Sequence, residues 1–303
     1  MAAPQGTFLP RLGSNPFMKH AQALCLAVVS FLLVIPACRS LQASRQAGIR
    51  PQSALRVATP EKSAKELRAA NPGRVVHVVV ALCDNASQGI VPVPAAIGNG
   101  DDPARNLYWG AGFGVKSYFR KQTDWQPLTI AQPAAPILER VAFKHRNENV
   151  YLVADAYQGR EIKRALNDFF AFNAGRQSET IETNGQKLHI GGAANLLAYA
   201  GHDGLMEFSV DAPEKADGEP REAIMLACIS KSYFAAPLRK TGAQPLLWTT
   251  QFMAPEAYTL KAALDGWLKN ETGAQVRQRA AAAYAKYQRI SQKAALGLFA
   301  TGF

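Results

Sequence analysis

Arg74-Val-Val-His-Val-Val-Val-Ala-Leu82 is the stretch that decides the fold. Its valines leave no polar face, apart from His77. Such a run suits a strand covered on both sides, as central strands of parallel sheets are. Downstream, Asn149–Ala154, Ala194–Ala200, Glu222–Cys228 and Pro245–Thr250 have the same character. Helical patterns separate them. Arg160–Asn173 sets Ile162, Leu166, Phe169 and Phe170 at helical spacing, and Ser230–Thr241 follows the fourth strand. Pro255 stands where a first helical turn tolerates it, ahead of Ala257, Leu260, Leu264, Trp267 and Leu268. Asn106–Phe119 reads as a helix entered through glycines, and Ala274–Leu296 as an alanine-rich final helix. This alternation predicts an α/β three-layer sandwich with a mainly parallel central sheet, in one domain over residues 73–303. The Gly-, Pro-, Asn- and Asp-rich stretch Asp84–Asn106 predicts a loop long enough to carry function.

Upstream, the chain reads as an address. Residues 1–20 carry Arg11, Lys19 and His20 and no acid. An apolar core, Ala21–Ile35, is followed by Pro36-Ala37-Cys38. A basic head, a short apolar core and small residues make an export signal over residues 1–37. Ile35-Pro36-Ala37-Cys38 resembles a bacterial lipobox, which implies cleavage before Cys38 and lipid attachment to it. An ordinary cleaved signal and an uncleaved anchor are the alternatives. All three place the body outside the cytoplasm, in the periplasm or outer envelope. Residues 38–72, rich in Ser, Gln, Ala, Arg and Lys with Pro51, Pro60 and Pro72, read as a tether to the membrane with a short helical candidate around Ser63–Ala70.

Composition narrows the function classes. The chain of 303 residues carries 34 Lys+Arg against 23 Asp+Glu, a net charge of +11. These cations are dispersed, and the densest group, Arg277, Arg279, Lys286, Arg289 and Lys293, falls on the final helix. No nucleic-acid partner is expected from that spread. The four cysteines are too few for a disulfide scaffold. Gly110-Ala-Gly-Phe-Gly114 does not directly follow a strand, and there is no Gly-x-Ser-x-Gly elbow, His-Glu-x-x-His or paired Cys-x-x-Cys. No cofactor or metal is therefore expected.

Ligands of parallel α/β sheets bind at the carboxyl ends of strands. The predicted strands end in Cys83-Asp84-Asn85, in Asp155, in Gly201-His202-Asp203-Gly204 and in Ala227-Cys228-Ile229-Ser230. A histidine and a cysteine thus leave successive strands. An imidazole beside a thiol lowers the thiol pKa, and a helix starting after Cys228 favours an anion there. Gly204 allows a backbone N–H to approach an oxyanion, and Asp203 could orient the imidazole or shape a turn.

Leu196-Leu-Ala-Tyr-Ala-Gly-His202 and Ala223-Ile-Met-Leu-Ala-Cys228 together resemble the caspase-like cysteine peptidases, which include caspases, legumains, gingipains, clostripains and separases. The resemblance implies a caspase-like fold and a dyad with His202 as acid/base and Cys228 as nucleophile, acting on a peptide or protein substrate. One residue, Asp203, stands between His202 and Gly204 where the family has none. The end of the first strand helps form the family's substrate pocket. Asp84 falls there, with Asp155 as a second pocket candidate, and an acid would select Arg or Lys before the cut. Two other readings stand beside this one. A non-catalytic binding protein would follow from a Cys83–Cys228 disulfide. A metal-dependent hydrolase would gather Asp84, Asp155 and Asp203 around an ion.

Overall fold

The structure, a computed structural model, describes residues 62–303. The predicted signal, Cys38 and most of the predicted tether lie outside the described residues. The elements in chain order are α1 (Ala64–Ala69), β1 (Arg74–Ala81), α2 (Val115–Arg120), β2 (Trp125–Leu128), β3 (Ile137–His145), β4 (Val150–Tyr157), α3 (Ile162–Asn173), β5 (Ser178–Thr183), β6 (Gln186–Gly191), β7 (Leu196–Ala200), β8 (Glu222–Leu226), α4 (Ser230–Thr241), β9 (Gln244–Thr249), α5 (Ala257–Leu268), α6 (Gly273–Gln288), α7 (Gln292–Leu298) and β10 (Phe299–Ala300).

Eight strands form one mixed sheet in the order β10-β9-β8-β7-β1-β4-β3-β2. The five inner strands, β9 to β4, are parallel. Antiparallel β3 and β2 extend one edge and β10 the other. Every residue of β1 from Val75 to Ala81 is buried, as its unbroken apolar run requires. Its alternate side chains feed two cores. Val76, Val78 and Val80 pack with α5 and α6, and Val75 and Val79 with α3 and α4. Helices therefore cover both faces of the sheet. From β1 the chain runs out to β4 on one side and returns to β7 on the other, so the β1–β7 boundary is the topological switch point.

Several expectations need correcting. The helix expected over 106–119 forms only as α2; Asn106 instead accepts from the Cys83 N–H at 3.0 Å and donates to the Cys83 carbonyl at 2.8 Å, pinning the end of β1. Pro255 precedes α5, whose N-cap is Glu256. The single final helix is two, broken at Arg289, which adopts φ 55°. Arg279 there pairs with Glu271, and Arg277 donates to the Leu296 carbonyl. The folded body also begins before residue 73. Ser63 and Glu66 form a capping box on α1, and Arg68 donates to the carbonyls of Ala194 and Pro220. The second strand runs past Ala154 to Tyr157, so Asp155 lies inside β4. Strands β2, β3, β5, β6 and β10 have no counterpart in the sequence reading. The β5–β6 hairpin turns at Asn184-Gly185, both at positive φ, the pair that a tight hairpin favours.

No described helix is long and apolar enough to cross a membrane.

Candidate functional site

A cavity of about 530 Å³ opens at the carboxyl ends of the parallel strands. The loop after β1 supplies Ile90, Val91 and Val93, the end of β7 supplies Gly201 and His202, Cys228 follows β8, and Phe252–Glu256 follow β9. His202 and Cys228 are thus brought to one cavity. They are not hydrogen-bonded to each other: among the described residues His202 Nε2 meets Glu207 Oε1 at 2.5 Å, and Cys228 Sγ meets the Met253 backbone.

The His202 loop is fixed from two sides. The Tyr199 hydroxyl, from the second-last residue of β7, donates to the His202 carbonyl at 2.7 Å. Glu207 Oε1 also accepts the Gly89 N–H at 2.7 Å, which ties this carboxylate to the loop after β1. A carboxylate can only accept, so the tautomer that suits this contact carries its proton on Nε2, and among the described residues nothing bonds Nδ1. Glu207 was missed in the sequence. Its spacing of five from His202 fits no strand or helix register, and the intervening short 3₁₀ turn Gly204–Met206 is what swings it round.

Asp203, the expected orienting acid, points inward. Its Oδ1 accepts the Leu205 N–H at 3.0 Å, and its buried Oδ2 has no partner among the described residues. Burial pushes this carboxyl up to about 7, against the opposing Leu205 N–H and with the Glu207 charge adding to the rise. The folded state holds this proton more tightly than an unfolded carboxyl does, so its contribution to stability is full below about pH 4 and is lost as pH rises through about 7. Asp203→Asn is expected to raise the melting temperature more at pH 8 than at pH 5. Equal shifts at both pH values would assign the change to packing instead.

Gly204 is no oxyanion donor. Its N–H donates to the His202 carbonyl at 3.2 Å, and a Cβ on it would strike the Phe208 ring. The glycine is required for that close approach rather than for substrate.

Cys228 sits in a strand–turn–helix elbow. Ile229, the next residue, has φ 51°, a conformation that β-branched residues strongly disfavour and that marks stored strain. A polar clasp holds it. Ser230 Oγ donates to the Met225 carbonyl at 2.9 Å, Thr249 N–H donates to Ser230 Oγ at 3.0 Å, and Thr249 Oγ1 donates to the Ala227 carbonyl. Serine and threonine at these two positions were not singled out from the sequence, because their partnership crosses from the start of α4 to the end of β9. Among the described residues no acceptor takes the Cys228 N–H, which lies just ahead of α4. The Met253 N–H points at Sγ from 3.5 Å.

The expected lowering of the thiol pKa is reversed. Burial raises the Cys228 thiol, the Met253 N–H opposes that rise, and the Asp203 charge adds to it. Cys83 is buried, and its thiol is pushed up to about 11 by burial. Both thiols are free, so the disulfide alternative is not formed.

The other acids go elsewhere. Asp84 does not line the cavity. Its carboxylate accepts from the Ala86 N–H at 3.0 Å and the Ser87 hydroxyl at 2.6 Å, an Asx-type turn. Asp155 is fully buried in a separate network on the α3 and α4 side of the sheet. It pairs with Arg140 at 2.5 and 2.8 Å and with His77 Nε2 at 3.0 Å, and Arg140 reaches on to Glu179 at 2.6 Å. Burial pushes the Asp155 carboxyl up, but the bonds from Arg140 and His77 outweigh that and hold it below its usual range. Among the described residues no three His, Cys, Asp or Glu side chains gather to hold a metal.

Comparison with protein-family models, with curated proteins and with solved structures finds no match to this chain.

Proposed function

We propose that the chain is an exported cysteine endopeptidase of caspase-like fold, held at the membrane by a lipid on Cys38. The observation that carries this reading is a cysteine and a carboxylate-bound histidine, leaving successive parallel strands, on the wall of one cavity. His202 Nδ1 takes the Sγ proton, and Sγ attacks the peptide carbonyl. The Cys228 N–H and the α4 dipole face the developing oxyanion. His202 returns the proton to the leaving amine, giving a thioester, and water then hydrolyses it with His202 again as base. Glu207 holds the imidazole and stabilises its charged form, as the third member of a triad does. The raised thiol means that the proton leaves during attack, with no resting ion pair.

That same raised thiol, with no bond to His202, favours a second reading, in which the fold binds an envelope peptide or protein without cutting it. A thiol-reactive peptide probe separates the two. Full-length wild type, Cys83→Ser and Cys228→Ala are labelled in parallel at neutral pH. Strong labelling of the first two and none of the third supports the peptidase. Equal labelling of wild type and Cys228→Ala removes Cys228 as the reactive group, since Cys25, Cys38 and Cys83 remain in that variant.

A further inference from the structure

We infer that the cavity beside Cys228 receives an uncharged apolar side chain of the peptide next to the bond to be cut, and not the Arg or Lys that an acidic pocket would select. This rests on the peptidase reading of the same site. The loop after β1 does build the cavity wall, but it turns Asp84 into its own turn and presents Ile90, Val91 and Val93 instead. Across the opening, Phe252 and Met253 close the other side. Val91 is 86% exposed and Phe252 70% exposed, so two apolar side chains stand uncovered at the rim of one concavity. A concave apolar lining of this volume, with few polar groups, is the usual form of a small-ligand or side-chain pocket.

Charge leads to the same conclusion. Among the described residues the lining includes no Lys or Arg, so an acidic side chain meets no cation there. Its carboxylate is Glu256, which already accepts from the Tyr258 hydroxyl at 2.8 Å and from the Gln288 amide at 3.1 Å. The other acid nearby, Glu207, is bound to His202 and to Gly89. A basic side chain entering here exchanges water for largely apolar walls and meets one open carboxylate oxygen, Glu256 Oε1, since Oε2 already takes two donors; that single contact has to offset the desolvation of the whole cation. Leu, Met or Phe gains by the same transfer.

Full-length protein would be assayed with acetyl-Ala-Ala-Ala-X aminocoumarin amides, X being Leu, Phe, Arg, Lys or Asp. The expected result is kcat/KM for Leu or Phe at least about tenfold above Arg, Lys and Asp. Arg or Lys cleaved as well as Leu overturns the inference while leaving the peptidase intact. If no member of the series is cleaved, calorimetric binding of the same peptides to Cys228→Ala decides. Tighter binding of the Leu and Phe peptides sustains the apolar pocket and separates it from the failed peptidase reading. Equal binding across the series, none at all, or tighter binding of the charged peptides overturns it.

Discussion

Cys228→Ala is expected to abolish peptide hydrolysis, and Glu207→Gln to lower kcat by on the order of 10²-fold or more. The first change removes the only nucleophile on the cavity wall that the proposed chemistry uses. The second keeps the shape of the carboxylate and removes its charge. A glutamine can turn its amide nitrogen toward His202 Nε2, which then has to accept, and the proton moves to Nδ1, where the base is needed. The imidazolium formed during attack also loses its counter-charge. The Glu207 effect should fall mainly on kcat, because Glu207 reaches substrate only through His202 and Gly89. A Glu207→Gln variant with unchanged kcat would sink the triad, and a fully active Cys228→Ala would sink the peptidase.

The largest stability effect is expected away from the cavity. Arg140→Met should destabilise the fold by about 3–5 kcal/mol at neutral pH, read from denaturant melts. Arg140 and Asp155 are cross-strand partners on β3 and β4, both nearly inaccessible to water. His77 cannot replace the lost cation. Its Nδ1 is occupied by the Gly191 N–H at 3.2 Å, so it meets Asp155 through Nε2 alone, where Arg140 gives two bonds. In the wild type the Asp155 carboxyl is held below its usual range. Its contribution is therefore full above the ordinary carboxylate value, about 3.9, and is lost as pH falls through its lower folded value. In the variant the buried carboxyl lacks both guanidinium bonds and binds a proton more readily. The deficit should then narrow as pH falls from 7 toward 4. A deficit that stays constant with pH would assign the loss to packing alone.

Much of the candidate site was legible because it depends on short-range pattern. A strand that ends in Ala-Gly-His and another that ends in Ala-Cys announce their own geometry, and parallel strands put those ends on one rim. What failed were statements about where a side chain points. Asp203 neighbours His202 in sequence, yet it turns inward to the Leu205 N–H, while Glu207 comes round a 3₁₀ turn to the imidazole. Asp84 falls at the end of the first strand as expected, but four residues of local turn satisfy it before any substrate could. The antiparallel edge, β2 and β3, was missed for a related reason. Ile137–His145 holds Glu139, Arg140 and Lys144 among its apolar residues, and Arg140 looks like a surface charge until Asp155 and Glu179 are set beside it.

The amino-acid order by itself determined the parallel core, the helices Ile162–Asn173 and Ser230–Thr241, and the meeting of His202 and Cys228 at one rim, since each follows from the burial demanded by neighbouring residues along the chain. Only the tertiary structure decided which carboxylate serves His202, that the Cys228 thiol is raised by burial, and that the pocket wall is apolar. These depend on the distances and desolvation created when residues far apart in the chain close around a common space, and no local pattern encodes them.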